Sequence, residues 1–318
     1  LNWAKQISTF CFLDKHQYQL EPHSIECLLA EGQQRMISSI AGSALQELGQ
    51  FMEERKSWLF GHLSYDIKNE LENLSSRHID LVGFPDLFFF EPEILIRVSA
   101  DDISIEADDA LAVFEQIENN ENSHLPVTGS FQIKNRISKG EYVDYVRQLQ
   151  KHIARGDCYE VNYCQEFFAE GAIIDPLHVY KKLSETSPNP FSSLYRVHYK
   201  WLIFSSPERF LKRKGSSVIS QPMKGTSRRA IDNVFTDELH KQTLYNSKKD
   251  RSENVMVVDL VRNDLAKVCR EGTVKVDELF GIYSFPQVHQ MISTVSGKLK
   301  PHTGFEEIIR ATFPMGSM

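Results

Sequence analysis

The chain is 318 residues long, 41% hydrophobic and 25% charged, with a formal net charge of −7. Such proportions belong to a folded globular chain, of roughly two domains or one large α/β domain, and not to a disordered or fibrous one. No block of Lys or Arg and no basic helix stands out, which argues against nucleic acid as a partner, and the longest apolar runs, such as Leu87-Phe88-Phe89-Phe90, fall far short of the ~20 residues that span a membrane.

The five cysteines, Cys11, Cys27, Cys158, Cys164 and Cys269, are odd in number and form no CxxC pair. Free thiols in a reducing cytoplasm are therefore expected, and a structural zinc site is not. Leu1-Asn2-Trp3-Ala4-Lys5 lacks the pattern of a secretory signal. The chain does not begin with methionine, so an earlier start is expected.

In chain order, Ala41 to Met52 reads as a helix with Leu45 and Leu48 on one side. Ser57 to Gly61 and Glu93 to Val98 read as strands. Asp108 to Ile117 reads as a second helix, running into Glu118-Asn119-Asn120-Glu121-Asn122-Ser123, the best linker candidate. Ser138 and Glu141 then make a capping box. Tyr142, Val146, Leu149 and Ile153 follow at helical spacing, and Gly156 stops the helix. Cys158 to Phe168 alternates polar and apolar residues and reads as extended. Leu194 to Val197 and Trp201 to Phe204 predict a hairpin turned at His198-Tyr199-Lys200, with further strands at Arg209 to Lys212 and Val218 to Gln221. Thr236 to about Lys267 is helical in pattern. Strands alternate irregularly with helices, so the fold class is α+β or complex α/β. No internal repeat and no GxGxxG after a strand is present.

Four places could carry chemistry. Lys224, in Gln221-Pro222-Met223-Lys224-Gly225-Thr226, follows a strand at a turn punctuated by Pro and Gly. It is either a solvated surface charge or a nucleophile, which would have to be neutral to act. The order GxxxxGK[ST] of a phosphate loop is absent. Glu208, in Ser206-Pro207-Glu208-Arg209-Phe210, follows a strongly apolar strand. It is either an ion-pair partner or a partly desolvated general acid. Asp250 and Glu253 share a helix face, where they either pair with neighbouring Lys and Arg or hold a divalent cation. His289 could donate to a ligand oxygen, although a lone histidine is more often structural.

These pieces occur in one order that resembles the chorismate-utilising enzymes, in particular their aminodeoxychorismate synthase component I branch, also called the para-aminobenzoate synthase large subunit. The matching stretches are Gly156 to Asn162, Asn189-Pro190-Phe191, Ser206 to Phe210, Pro222 to Thr226, Asp250 to Asn254 running on through Val258 to Asp264, Phe285 to His289, and Phe313 to Ser317. A weaker match runs from Trp58 to Asp66. The resemblance implies one large domain over 1–318, with 1–122 as an N-terminal subregion and 130–318 as the catalytic core. It implies two opposed, largely antiparallel sheets flanked by helices, with the active site between them.

It also implies residue roles. Lys224, where anthranilate synthases carry alanine, would add to ring carbon C2 of chorismate as the C4 hydroxyl leaves. Ammonia would then attack C4 and expel the lysine, giving 4-amino-4-deoxychorismate for para-aminobenzoate and folate synthesis. Glu208 would protonate the leaving hydroxyl. Glu253 would ligate Mg²⁺ at the C1 carboxylate, supported by Asp250. Gly225 and Thr226 would line the pocket, and His289 would face the ring. Ammonia would come from glutamine through a separate amidotransferase subunit. Glu160 stands where isochorismate and salicylate synthases carry a water-activating lysine, which argues against water as the nucleophile. The family pattern continues beyond Gly316-Ser317 with a second metal-binding glutamate and carboxylate-binding groups, whereas this sequence ends at Met318. The alternatives are anthranilate synthase component I and a non-catalytic relative that binds chorismate or an amidotransferase.

Overall fold

A computed structural model describes residues 1–18, 25–72, 74–76, 78–120 and 131–317. The chain divides into two units, one of Leu1–Asn122 with Pro176–Ser317 and one of Ser123–Asp175 with Met318. The linker expected at 118–123 falls partly outside the described residues.

The first unit runs through β1 (Thr9–Asp14), β2 (Cys27–Glu31), β3 (Arg35–Ser39), α1 (Ala44–Glu54), β4 (Phe60–Leu63), α2 (Lys68–Leu71), β5 (Leu87–Glu91), β6 (Ile94–Val98), β7 (Ile103–Glu106) and α3 (Ala110–Glu118). The second unit holds β8 (Lys134–Asn135), α4 (Lys139–Arg155) and β9 (Phe167–Phe168). The first unit resumes with α5 (Pro176–Thr186), β10 (Phe191–Val197), β11 (Lys200–Ser206), β12 (Arg209–Lys214), β13 (Ser217–Gln221), β14 (Met223–Arg228), α6 (Val234–Asn246), α7 (Lys248–Val268), β15 (Lys275–Ser284), β16 (Val288–Lys298) and α8 (Phe305–Thr312).

The expected class, antiparallel sheets flanked by helices, is what forms. Within the first unit a six-stranded sheet has the order β11-β10-β1-β2-β6-β7, and a three-stranded sheet has the order β3-β5-β4. In the five-stranded sheet, β12 pairs β13, while β13, β14 and β15 all pair β16. The six- and three-stranded sheets face each other through Cys11, Ala30, Leu95 and Tyr195 on one side and Phe60, Phe88 and Phe90 on the other. His62 bridges them: its Nδ1 lies 3.0 Å from the Tyr195 hydroxyl and its Nε2 2.9 Å from the Pro85 carbonyl. Burial holds the His62 pKa below its ordinary value, which favours the neutral ring. The other face of the six-stranded sheet packs on α3 and α5 through Val113, Leu177 and Tyr180. The five-stranded sheet packs on α7, where Val218 and Val295 meet Val257, Val258, Val261 and Leu265. Helix α8 joins two cores, with Ile308 facing α7 and Ile309 facing α1.

Several elements follow from local signals alone. In α4 the Ser138 hydroxyl accepts from the Glu141 N–H at 3.2 Å, and the Glu141 carboxylate accepts from the Ser138 N–H at 2.8 Å. Gly156 ends that helix at φ +83°. The hairpin turns at His198, which takes φ +56°. Three expectations differ, two because a partner strand decides and one because of a local cap. The strand expected from Ser57 begins only at Phe60, the first residue with a place opposite β5. Between Cys158 and Phe168 only Phe167-Phe168 pairs, because alternation makes a strand only where a second strand meets it. The single helical pattern from Thr236 breaks at Ser247, whose extended backbone (ψ 112°) and hydroxyl cap the new helix α7.

A fourth difference concerns Pro222 to Thr226, which is not a turn. Strand β14 continues β13 along the same side of β16, and the Ser293 N–H donates to the Pro222 carbonyl at 3.1 Å across the junction. Met223 lies opposite Ile292 and Thr226 opposite Gln290, so Lys224 and Gly225 together face a single residue. This is a β-bulge. Gly225 makes it at φ +96°, where a Cβ would stand 2.9 Å from the Cβ of Asp250. Gly225→Ala should therefore lower stability by about 1–3 kcal/mol, read as a lower urea midpoint at unchanged slope. An unmoved midpoint would show that the bulge yields freely.

Candidate active site

The bulge brings two of the sequence-selected residues together. Glu208 precedes β12, and its Oε1 accepts from the Met223 N–H at 3.3 Å and from the Ser317 hydroxyl at 2.7 Å. Its own N–H donates to the Ser206 hydroxyl at 3.1 Å. Burial raises the Glu208 pKa above the usual carboxylate range. The two hydrogen bonds and the positive charge of Lys224 oppose that rise. The carboxyl is thus desolvated enough to keep a proton longer than an exposed glutamate, and close enough to Lys224 to feel its charge. A carboxyl in such surroundings can hold a proton and hand it to a neighbouring group.

The helix supplies the second group. Asp250 lies in the first turn of α7, where its N–H donates to the Ser247 hydroxyl at 3.3 Å and its Oδ2 accepts from that hydroxyl. Its side chain also packs on Gly225, so the helix terminus is seated on the bulge. Glu253 follows one turn later, 3.6 Å from Lys249 Nζ, with 36% of its side chain exposed. Two carboxylates one turn apart suit a hard cation such as Mg²⁺, which keeps several waters and takes one or two protein carboxylates. Among the described residues no group of three or more His, Cys, Asp or Glu is gathered for a metal. A cation here would complete its shell with water and ligand oxygens.

Thr226 is exposed, and its hydroxyl donates to the Gln290 side-chain carbonyl at 2.8 Å. His289, 1% exposed on β16, is held on both nitrogens: Nδ1 is 2.8 Å from the Ser284 hydroxyl and Nε2 is 3.2 Å from Asp237 Oδ1. Asp237 also accepts from Arg229 Nε at 2.9 Å and from the Ala230 N–H at 2.7 Å, contacts that hold its pKa down to about 2. A carboxylate ionised over the working pH range holds a proton on Nε2, and Nδ1 faces the Ser284 hydroxyl. Glu160 lies in the second unit, outside any regular strand.

Sequence reasoning missed Ser317, Asp237, Asn254 and Ser293. Ser317 lies in the stretch Phe313 to Ser317 but is brought to Glu208 only by the fold. Asn254 did leave a signal. It occupies an i, i+3, i+4, i+7 stripe with Val257, Val258 and Val261, where a polar residue among apolar ones marks a buried hydrogen-bonded group.

The chain is 33% identical over 265 residues to aminodeoxychorismate synthase component 1 of Klebsiella aerogenes, covering 81% of this chain and 58% of that protein. It is 30% identical over 268 residues to an anthranilate synthase component I-like protein of Synechocystis, covering 82% of this chain and 55% of that one. The chain thus spans little more than half the length of these relatives. Among solved structures, anthranilate synthase component I of Streptococcus pneumoniae shares the fold with a TM-score of 0.78 at 22% identity, over 95% of this chain and 75% of that one. The menaquinone-specific isochorismate synthase of Escherichia coli does so with 0.72 at 13%, over 98% and 69%. The family described as chorismate binding enzyme matches residues 10–318, and the chain belongs to that family.

Proposed function

We propose that this chain carries the chorismate-aminating chemistry of an aminodeoxychorismate synthase component I. The observation that carries the reading is a lysine, Lys224, fixed in a strand bulge within the electrostatic reach of a desolvated Glu208. The names of relatives such as the Klebsiella aerogenes protein support it. In the first step Lys224, having lost its ammonium proton to solvent, forms a bond to C2 of chorismate, both ring double bonds shift by one position, and the C4–O bond breaks. Glu208 gives its proton to the departing oxygen, which leaves as water, and the new C2 ammonium returns a proton to Glu208. In the second step ammonia bonds to C4, both double bonds shift back and the C2–N bond breaks. One proton passes from the C4 ammonium to the departing lysine. Splitting one displacement into two is what a nucleophilic side chain contributes. Glu253, with Asp250 behind it, would hold Mg²⁺, which when bound neutralises and orients a substrate carboxylate. Gly225 and Thr226 would border the ring, whereas His289, buried with both ring nitrogens engaged by Ser284 and Asp237, has no free donor to turn toward a ligand.

Ammonia would be delivered by a separate glutamine amidotransferase. A cytoplasmic setting fits the unpaired cysteines. Cys11 and Cys27, whose pKa values burial pushes up to about 12, are unreactive thiols at neutral pH. Among the described residues no helix is long and apolar enough to cross a membrane.

Three measurements test this reading. With chorismate, Mg²⁺ and ammonium, followed by the lyase that releases para-aminobenzoate, the protein should form para-aminobenzoate, and Lys224→Gln should lower kcat on the order of 10³-fold or more. Release of fluorescent anthranilate instead would assign the sister activity, and undiminished turnover in the variant would remove the nucleophile. Glu253→Gln should raise the Mg²⁺ concentration for half-maximal rate about 10- to 100-fold, and an unaltered titration would exclude it as a ligand. The third is a pH profile. Glu208 acts protonated, so the rate should fall as pH rises through its raised pKa. Ser317→Ala removes a hydrogen bond that favours the charged form, so that fall should move to higher pH. A shift to lower pH would show that Ser317 does not act through Glu208. The same raised pKa makes the fold less stable as pH rises from the ordinary carboxylate value through the raised one, because the charge is then buried.

A further inference from the structure

We propose that Asn254 and Ser293 are positioning residues that set the spacing between Lys224 and the helix bearing Glu253, an inference that rests on the roles read for those two residues above. Both are buried, at 1% and 0% exposure. Asn254 directly follows Glu253 on α7, and its Nδ2 donates to the Lys224 carbonyl at 3.5 Å and to the Met291 carbonyl at 3.4 Å. Its Oδ1 accepts from the Ser293 hydroxyl at 2.6 Å. The Ser293 oxygen in turn accepts from the Phe280 N–H at 3.1 Å.

Every polar hydrogen of the pair is thereby used. One amide and one hydroxyl tie helix α7 to three strands, β14, β15 and β16. Two of the tied points are irregular. Lys224 sits in the β14 bulge, and Phe280 takes φ +61°, a conformation that bulky residues adopt only where the surroundings impose it. An apolar residue at position 254 would continue the Val257, Val258, Val261 stripe and fill the volume. It could not fix the helix against a carbonyl in a bulge, because dispersion contacts have no direction and hydrogen bonds do. Neither residue is placed in contact with a reacting atom, so their action passes through Lys224 and Glu253.

The test uses Asn254→Asp, which keeps shape and acceptor but loses both donors, and Ser293→Ala, which leaves Asn254 in place but removes its support. The first readout is independent of the reaction: acetylation of Lys224 by acetic anhydride, quantified by peptide mass spectrometry against the remaining lysines. Release of the bulge should make Lys224 react about threefold or more faster relative to them, the scale of one buried hydrogen bond. The second is the ammonia-dependent reaction, where kcat should fall about 10- to 100-fold, as for a small misplacement of a reacting group, with KM for chorismate within about threefold of its original value. Unchanged Lys224 labelling in the folded variants overturns the proposal, even if their melting temperature falls. If Asn254→Asp does not fold, Ser293→Ala decides by the same criterion. A wild-type protein that labels as expected but does not aminate chorismate would overturn the functional reading and leave the positioning intact.

Discussion

The structure around the candidate site depends on one irregularity, the extra residue that β14 inserts opposite β16. A regular strand would present Lys224 to one face of the sheet by alternation. The bulge breaks the alternation, and Gly225 allows it by taking a φ that side-chain-bearing residues avoid. The missing side chain also lets the first turn of α7 approach, with Asp250 against Gly225. The same glycine therefore sets the lysine and seats the helix that carries the candidate metal ligand. Pro222 marks the start of this departure: it has no N–H for the ladder, yet its carbonyl is still bonded by Ser293.

The electrostatics follow from that placement. Glu208 is held by the Met223 N–H at the start of the bulge and by Ser317 from a segment distant in sequence. Burial outweighs both bonds and the lysine charge, so the carboxyl stays above its ordinary pKa. Asp237 shows the opposite balance in the same unit. An arginine and a backbone N–H hold it far below the ordinary value, and it orients the wholly buried His289. Two carboxylates are thus driven apart in acidity by their surroundings, which is how acid and anchor are told apart in active sites.

Much of the local structure was legible in the sequence. The capping box at Ser138, the stop at Gly156 and the hairpin at His198 rest on contacts between residues a few positions apart. The apolar side of α1 was legible from the spacing of Leu45 and Leu48, which are both fully buried against distant segments. The candidate residues Lys224, Glu208, Asp250 and Glu253 were legible as an ordered set of motifs. What stayed hidden were the lengths of paired segments and the partners of buried polar groups. Trp58 carries a strand-like sequence but has no strand beside it. Nothing near Asn254 in the chain announces a bond to the Lys224 carbonyl.

The sequence by itself determined the main helices, the hairpin at His198, the fold class and the family, because periodicity, caps and motif order are properties of neighbours along the chain. Only the tertiary structure decided that Pro222 to Thr226 is a bulged strand, that Ser317 reaches Glu208, and that Asn254 and Ser293 close a buried network beneath Lys224. The physical reason is that backbone irregularity, desolvation and buried hydrogen bonds are set by what packs from elsewhere in the chain. Short-range pattern carries no record of those partners.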